Sequence, residues 1–427
     1  MTIQHFLTAK RDGRRHSPGD LRWFVRELVA GRVADYQAAA WLTAAFLNGL
    51  DEDETTELTL AMAESSEQPD LGSLPRPLVD KHSTGGVGDS VSIILLPLLA
   101  ACGLTVVKMS GRGLGFTGGT LDKLGAIPGF RTGLSPEEMT EIARSVGCAL
   151  AGQSANLAPA DKILYALRDA TETVDSVPLI AASVMSKKLA AGADVIVLDV
   201  KCGSGAFTPD PERARELASA MVAIGERAGR RMKALITDMS QPLAPAVGNA
   251  LEVRAAINEL KTGCKGRLGR VTRALAQAAA EAAGTEFDVG RAIDSGLALE
   301  KMREWIAAQG GDARVVDEPD ALLPRAPVIK KVVSPADGFV GSFQTAAIGE
   351  TARGLGAGRR RKEDEIDPAV GLEVHLQIGD RVSAGRPVFT IHAQTESAAS
   401  NAAAELPALV SISDNAVSPP EIILEGG

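Results

Sequence analysis

Two glycine-rich loops hold most of the residues in this chain that could do chemistry. The first, Lys81-His82-Ser83-Thr84-Gly85-Gly86-Val87-Gly88-Asp89, follows an apolar run at 77–79 and precedes another at 91–99. A strand that ends in a glycine turn and leads into a helix crowds unpaired N–H groups at the helix N-terminus, which favours negative charge. A lysine and a histidine stand at the entrance of this cradle. The second loop, 108–120, repeats the pattern, with Lys108, Ser110 and Thr120 supplying a charge and two hydroxyls and no carboxylate before Asp122. One such loop is often only a tight turn. Two at the carboxyl ends of neighbouring strands converge on one anion at a crevice of the sheet. Neither loop completes a G-x-S-x-G elbow, a Walker lysine motif or a dinucleotide fingerprint, and no carboxylate pair for a metal-bound pyrophosphate stands beside them. Free phosphate suits them better.

A third group of residues is helical. Ser183 and Lys187 stand four apart and share a helix face. Lys188 lies about 100° around the axis, so the tandem lysines need not share a role. Arg168 falls near the end of the preceding helix, in Tyr165-Ala166-Leu167-Arg168-Asp169.

The elements that must position these groups are legible from pattern. The first seventy residues read as helices: Ser17-Pro18-Gly19-Asp20 offers an N-cap and a first-turn proline ahead of a helix at 21–30, with two more at 35–47 and 51–63. From Pro75 the pattern changes to short apolar strands at 78–80, 104–107 and 194–200, each leading into a loop of small residues. Helices at 159–170 and 178–191 are expected to pack back on the N-terminal bundle. From Val332 the chain turns β-like; Leu372, Val374, Leu376 and Ile378 alternate with polar residues, and His375 reads as a surface histidine. The predicted class is therefore α/β. A discontinuous α-helical lobe (1–70 and 159–192) joins a larger α/β lobe with a mixed, mainly parallel sheet (71–158 and 193–331). A small C-terminal β-rich α+β region (332–413) and a loose tail (414–427) complete the chain.

Composition excludes several function classes. A chain of 427 residues with net charge −9 lacks the basic face of a general nucleic-acid binder. The basic run Arg359-Arg360-Arg361-Lys362 is answered at once by Glu363-Asp364-Glu365 and reads as a solvated loop. The four cysteines stand far apart, which suggests neither a zinc site nor a disulfide framework. No basic-then-apolar leader opens the sequence and no apolar run is long enough for a membrane span, so a soluble cytoplasmic protein is expected.

The run 80–89, together with Ser110-Gly111-Arg112-Gly113-Leu114-Gly115 and Thr117-Gly118-Gly119-Thr120-Leu121-Asp122-Lys123-Leu124, resembles the signatures of the thymidine and pyrimidine-nucleoside phosphorylases. So do Ala158-Pro159-Ala160-Asp161-Lys162, Tyr165 to Asp169, Ser183 to Lys188, and Asp199-Val200-Lys201 through Gly205-Ala206-Phe207. The resemblance spans essentially the whole chain. It implies reversible phosphorolysis of pyrimidine nucleosides to free base and pentose 1-phosphate, with inorganic phosphate as co-substrate, no organic cofactor and a homodimeric assembly. By position, phosphate would be held by Lys81, Ser83, Ser92, Lys108, Ser110 and Thr120. The catalytic set would be His82, Arg168, Ser183 and Lys187, with Leu114, Val174, Ile180 and Phe207 as an apolar wall around the base. His82, with an ordinary pKa near neutrality, would protonate the departing base. The resemblance also bears on substrate range: relatives restricted to thymidine and deoxyuridine carry methionine where this chain has Lys108, and those with lysine also accept uridine.

Two departures stand out. Phe116 occupies a position that is commonly histidine. Gly88, Ser90, Leu243 and Ala246 match the ligands of a potassium ion held by some relatives, but Ala255 stands where a glutamate would complete the set. Rival readings are a thymidine phosphorylase restricted to deoxynucleosides, an anthranilate-type phosphoribosyltransferase, which would need magnesium and acidic ligands, and a binding protein that keeps the fold without turnover. The Gly379-Asp380-x-Val382 turn resembles lipoyl-type carrier domains but lacks a lysine at a hairpin tip, so a structural role is expected there.

Overall fold

The computed structural model describes residues 1–426 except 68, 112, 114, 154, 155 and 362. Four helices come first: α1 (Ile3–Arg11), α2 (Pro18–Val29), α3 (Asp35–Asn48) and α4 (Glu52–Glu64). Reciprocal capping boxes, Ser17 with Asp20 and Asp51 with Glu54, fix the starts of α2 and α4 by satisfying N–H groups that the first helical turn leaves open. The chain then runs through β1 (Leu78–Ser83), α5 (Val91–Ala101), β2 (Thr105–Ser110), α6 (Thr120–Leu124), α7 (Pro136–Val146) and β3 (Cys148–Gly152). Next come α8 (Pro159–Ala170) and α9 (Val177–Ala190), which pack against α3 and α4 and make the helical lobe discontinuous in sequence.

The α/β lobe continues with β4 (Val195–Cys202), α10 (Pro211–Arg227), β5 (Arg231–Asp238), β6 (Ala246–Val247), α11 (Asn249–Lys261) and α12 (Arg267–Ala283). The C-terminal region holds β7 (Val328–Val333), β8 (Gly338–Phe343), β9 (Gly371–Val374), β10 (Arg381–Val382), β11 (Pro387–Ala393) and β12 (Val410–Ser413), and the last strand is β13 (Ile423–Gly426). The large sheet runs β13-β5-β4-β1-β2-β3, all parallel except β13. The strand order reverses between β1 and β4, the position at which open α/β sheets present a crevice to ligands. α5 is apolar all round because both of its faces are buried.

The structure departs from the pattern reading at four places. β3 and β5 are additions to the expected strands: β3 is built of small residues (Cys-Ala-Leu-Ala-Gly) and β5 begins with polar ones, so neither carries a continuous apolar run. The segment 414–427 is not wholly a loose tail, since 423–426 pair antiparallel with β5 and Ile422 is buried in the core. The β-rich region begins at Val328 rather than Val332, because β7 alternates exposed and covered residues at the sheet edge. β6, inside the larger lobe, completes the four-stranded C-terminal sheet β6-β9-β11-β7.

The helical lobe has a buried histidine at its centre. His16 stacks on Phe6 with centroids 3.9 Å apart, and its Nε2 accepts the Trp41 indole N–H at 3.1 Å. The Lys10–Glu54 ion pair lies beside it at 2.7 Å. Burial, and then the Lys10 charge, lower its pKa from 6.5 to about 4. The folded state therefore binds fewer protons than the unfolded one between those values, and stability falls as pH drops through that window. The loss is expected to be on the order of 3 kcal/mol. Thermal melts from pH 7 to pH 4 should show it, and a His16→Gln variant should have a flatter profile. A variant profile parallel to that of the wild type removes the assignment.

Candidate active site

The cleft between the two lobes encloses about 530 Å³. Its α/β wall carries His82, Ser83, Ser92, Lys108, Ser110 and Thr120, and its helical wall carries Arg168, Val174, Ile180, Ser183 and Lys187, with Phe207 at the side. Of the residues singled out from sequence, Leu114 lies outside the described residues. Lys81 is the one that the structure moves.

β1 sets this arrangement by alternation, since successive side chains in a strand point to opposite faces. The Lys81 ammonium is buried on the side of β4, 2.9 Å from Asp199 Oδ2 and 3.9 Å from Asp89 Oδ2, and it is not among the residues lining the cleft. The lysine expected at the loop entrance instead forms the floor beneath it, because Asp199 is fully buried and needs counter-charge. Lys201 approaches the same Asp199 oxygen at 2.8 Å, and Thr237 donates to the other at 2.8 Å. Burial works against the Lys81 charge, but Asp199 and Asp89 outweigh it and raise its pKa.

Asp80 organises the opposite face. Lys188 reaches it from α9 at 2.8 Å, while Lys108 lies 3.7 Å from its other oxygen and donates to the Lys81 carbonyl. Lys187, next to Lys188 in sequence, points into the cleft and contacts Asp161 at 2.6 Å and Ser183 Oγ at 3.2 Å. The tandem lysines therefore do separate tasks. Burial, then the Lys188 charge, lower the pKa of Lys108 to about 7, so its proton is loosely held near neutrality. His82 is shifted in the same direction: burial, then Lys188, Lys108, Lys81 and Lys187, hold it well below 6.5. That environment disfavours the protonated form of His82 in the unliganded cleft. Burial and the surrounding cations favour the neutral imidazole there.

Asp89 finishes the first loop. It accepts from Ser83 Oγ at 2.5 Å and caps the start of α5 through the Val91 N–H at 3.2 Å. Burial opposes its ionisation, but Lys81, Lys201 and Lys123 outweigh that and keep it well below the usual carboxylate range. The loop also needs glycine at Gly88: φ is +71°, and a Cβ there would meet the Ala246 carbonyl at 3.0 Å.

The second loop is held from a distance. Gly113 N–H donates to Asp122 at 3.1 Å, and Arg359 clamps both oxygens of Asp122 at 2.9 and 3.0 Å. Arg359 comes from the basic run that reads as a solvated loop; its role is invisible to local pattern because its partner lies 237 positions away. Phe116 packs at a tilt against Phe207 with centroids 5.1 Å apart, and Phe207 remains 48 % exposed at the cleft. Arg168 is buried with N–H groups on the carbonyls of Thr173, Val174 and Leu179, so it shapes the 173–179 segment as well as lining the cleft. Burial lowers its pKa.

The residues matching a potassium site do not fit one here. The Gly88 carbonyl already accepts from Ser90 and Ala244 N–H at 3.1 Å each. The Ser90 hydroxyl donates to Glu252 at 2.6 Å. The same Glu252 oxygen lies 2.6 Å from the Lys123 ammonium, which also donates to the Asp89 carbonyl at 2.8 Å. Ala255 supplies no oxygen, and among the described residues no cluster of three acidic, histidine or cysteine side chains could hold a metal.

Comparison with known proteins agrees with this geometry. Family models match as "Glycosyl transferase family, helical bundle domain" at 4–66, "Glycosyl transferase family, a/b domain" at 75–307 and "Pyrimidine nucleoside phosphorylase C-terminal domain" at 339–413. The chain is 46 % identical over 424 residues to a thymidine phosphorylase of Sinorhizobium medicae, covering 97 % of each. It is 46 % identical over 403 residues to a pyrimidine-nucleoside phosphorylase of Geobacillus stearothermophilus, covering 93 % of each. The crystal structure of an anthranilate phosphoribosyltransferase from Thermus thermophilus shares the fold, with TM-score 0.57 and 22 % identity over 71 % of this chain and 98 % of that one. No helix among the described residues is long and apolar enough to cross a membrane. With near-complete coverage by such relatives and a two-lobed cleft built from the matching motifs, the chain belongs to the thymidine and pyrimidine-nucleoside phosphorylase family.

Proposed function

We propose that the chain catalyses the reversible phosphorolysis of pyrimidine nucleosides, uridine, thymidine and deoxyuridine among them, to free base and (deoxy)ribose 1-phosphate in the cytoplasm. The observation that supports this most directly is one cleft in which two glycine loops face Arg168, Ser183 and Lys187 across the lobes. Phosphate sits against Ser83, Ser92, Lys108, Ser110 and Thr120, with Lys81 contributing charge from below. The base sits between Val174, Ile180 and Phe207. As the bond from the anomeric carbon to the base nitrogen breaks, a phosphate oxygen bonds to that carbon and the electron pair leaves on the pyrimidine. Lys187 and the neutral His82 N–H face that growing negative charge, which is electrostatic stabilisation by groups already in place. Lobe closure excludes water and favours phosphate over hydrolysis.

A phosphate-dependent release of base from uridine and thymidine tests this reading. His82→Ala and Lys187→Ala should each lower kcat by about a hundredfold or more while the protein stays folded. Lys108→Met should reduce kcat/KM for uridine roughly tenfold more than for thymidine, because methionine offers no donor to a 2′-hydroxyl. Wild-type protein that turns over no uridine sinks the broad substrate range; no phosphorolysis of either nucleoside sinks the activity.

The enzyme works without a bound alkali cation, since Ala255 removes a ligand and Lys123 already compensates Glu252. Its melting temperature should be equal in potassium chloride and tetramethylammonium chloride at matched ionic strength. Ala255→Glu should introduce a potassium-specific rise. A potassium-specific rise in the wild type contradicts the proposal.

A homodimer accords with the surface of α3, where Tyr36 is 77 % and Leu47 73 % exposed. Sedimentation of the full chain should give twice the monomer mass, and Tyr36→Glu with Leu47→Glu should shift it toward monomer. A monomeric wild type, or a double variant still fully dimeric, excludes this face.

A further inference from the structure

A second cavity of about 600 Å³ opens where α11 and the 320–326 segment cross the four-stranded C-terminal sheet, and it shares no lining residue with the catalytic cleft. Strand register gathers its polar side chains on one sheet face. Lys331 pairs with Thr390 and Thr390 with Glu373, and His392 sits opposite Ile329. His375 follows β9, and its backbone N–H donates to the Val388 carbonyl. A sheet face covered by a helix ordinarily carries apolar side chains. This one carries a carboxylate, two histidines, a threonine and a lysine.

Its charge is also out of character. Four cationic and two carboxylate side chains line the cavity, in a chain of net charge −9. Two of those cations are already matched: Arg254 contacts Glu373 at 2.6 Å and Asp320 at 3.1 Å, and Arg325 lies 3.4 Å from Asp320. Lys331 and Arg386 have no ion-pair partner among the described residues; Arg386 donates only to the Arg381 carbonyl, at 2.8 Å. His392 is 7 % exposed, with Nε2 3.4 Å from Glu373 and outside hydrogen-bond geometry. His375 Nε2 lies 2.7 Å from Thr390 Oγ1, so a ring nitrogen and a hydroxyl are held together on the cavity wall.

We propose that this seam binds a small doubly charged oxyanion, either free phosphate or the phosphoryl group of a sugar phosphate. Lys331 and Arg386 supply the charge, and Thr390 and His375 the hydrogen bonds. A dianion offsets both unmatched cations at once, and the cavity is of ordinary size for a small ligand. The roof of the seam leads to the catalytic loops. Arg254 stands two residues from Glu252 on α11, and Glu252 holds Lys123, which in turn holds the Asp89 carbonyl of the first loop.

Calorimetric titration of the full chain with inorganic phosphate tests this. Wild type should take up two equivalents per chain. Lys331→Ala with Arg386→Ala, both at exposed positions, should weaken one of them roughly tenfold or more and leave kcat for phosphorolysis within about twofold. Ser110→Ala, in the cleft, should weaken the other equivalent and leave this one. Ribose 5-phosphate in place of phosphate then identifies the source: competition for the second equivalent assigns a phosphoryl group, and its absence assigns free phosphate. A single equivalent in the wild type that Ser110→Ala abolishes, or two that survive the double substitution unchanged, overturns the site without touching the assignment of the cleft.

Discussion

Asp80, Asp89 and Asp199 place three carboxylates beneath the glycine loops, and Lys81, Lys108, Lys188 and Lys201 answer them at 2.8–3.9 Å. Buried charge of this kind is costly to assemble and adds little stability compared with an apolar core, yet removing one partner typically costs about 3–5 kcal/mol. Once built, the lattice must be kept whole. It carries more cations than anions, and burial together with that surplus acts on the groups that can give way. His82 is held neutral, and Lys108 is held near the point of losing its proton. In the proposed reaction a phosphate arriving over Ser83 and Ser110 meets a field fixed in advance, so little reorganisation is needed when charge develops.

The same lattice ties the two lobes. Lys188 extends from α9 in the helical lobe to Asp80 in the central strand of the large sheet, while Lys187 on the next position pairs with Asp161; both line the cleft. The turn of about 100° between neighbouring helical residues gives the two lysines different carboxylate partners. Farther out, Arg227 on α10 bridges to Glu52 and Asp53 of α4 at 3.1 and 2.5 Å, a second and exposed tie between the lobes.

Much of this is legible in the sequence, and what is not has a common cause. The loops, the five helices read in the helical lobe and the three strands follow from glycine placement, caps and short runs rich in apolar residues, all local signals. Pattern misplaces Lys81 because motif order says nothing about which face of a strand a residue takes; His82 and Lys81 are adjacent, but their environments are set by β2 and β4. The environment of His82 escapes it for a related reason, since burial and then four lysines from three elements lower its pKa and none of these adjusts the local pattern. Arg359 is hidden because a basic residue beside acidic ones looks solvated until the fold brings Asp122 to it. The strand at 423–426 is hidden because four residues after a proline-rich stretch carry no periodicity.

Those long-range partners alter the standing of the C-terminal region. Read alone, its turn suggests a structural appendage. In the fold it braces both loops: Arg359 fixes Asp122, which orients Gly113, and the Phe116 carbonyl packs so closely on Gly349 that a Cβ there would approach to 2.5 Å. β6 leaves the α/β lobe to complete the C-terminal sheet immediately before α11, whose Glu252 holds Lys123 against the first loop. The glycine-loop side of the cleft is therefore supported by the α/β sheet below and the C-terminal region behind, while the helical lobe contributes Lys188. A glycine-rich loop has little intrinsic preference for one conformation. Its geometry here comes from long-range partners, which is why the loops can be spelled with few side chains and still form a defined site.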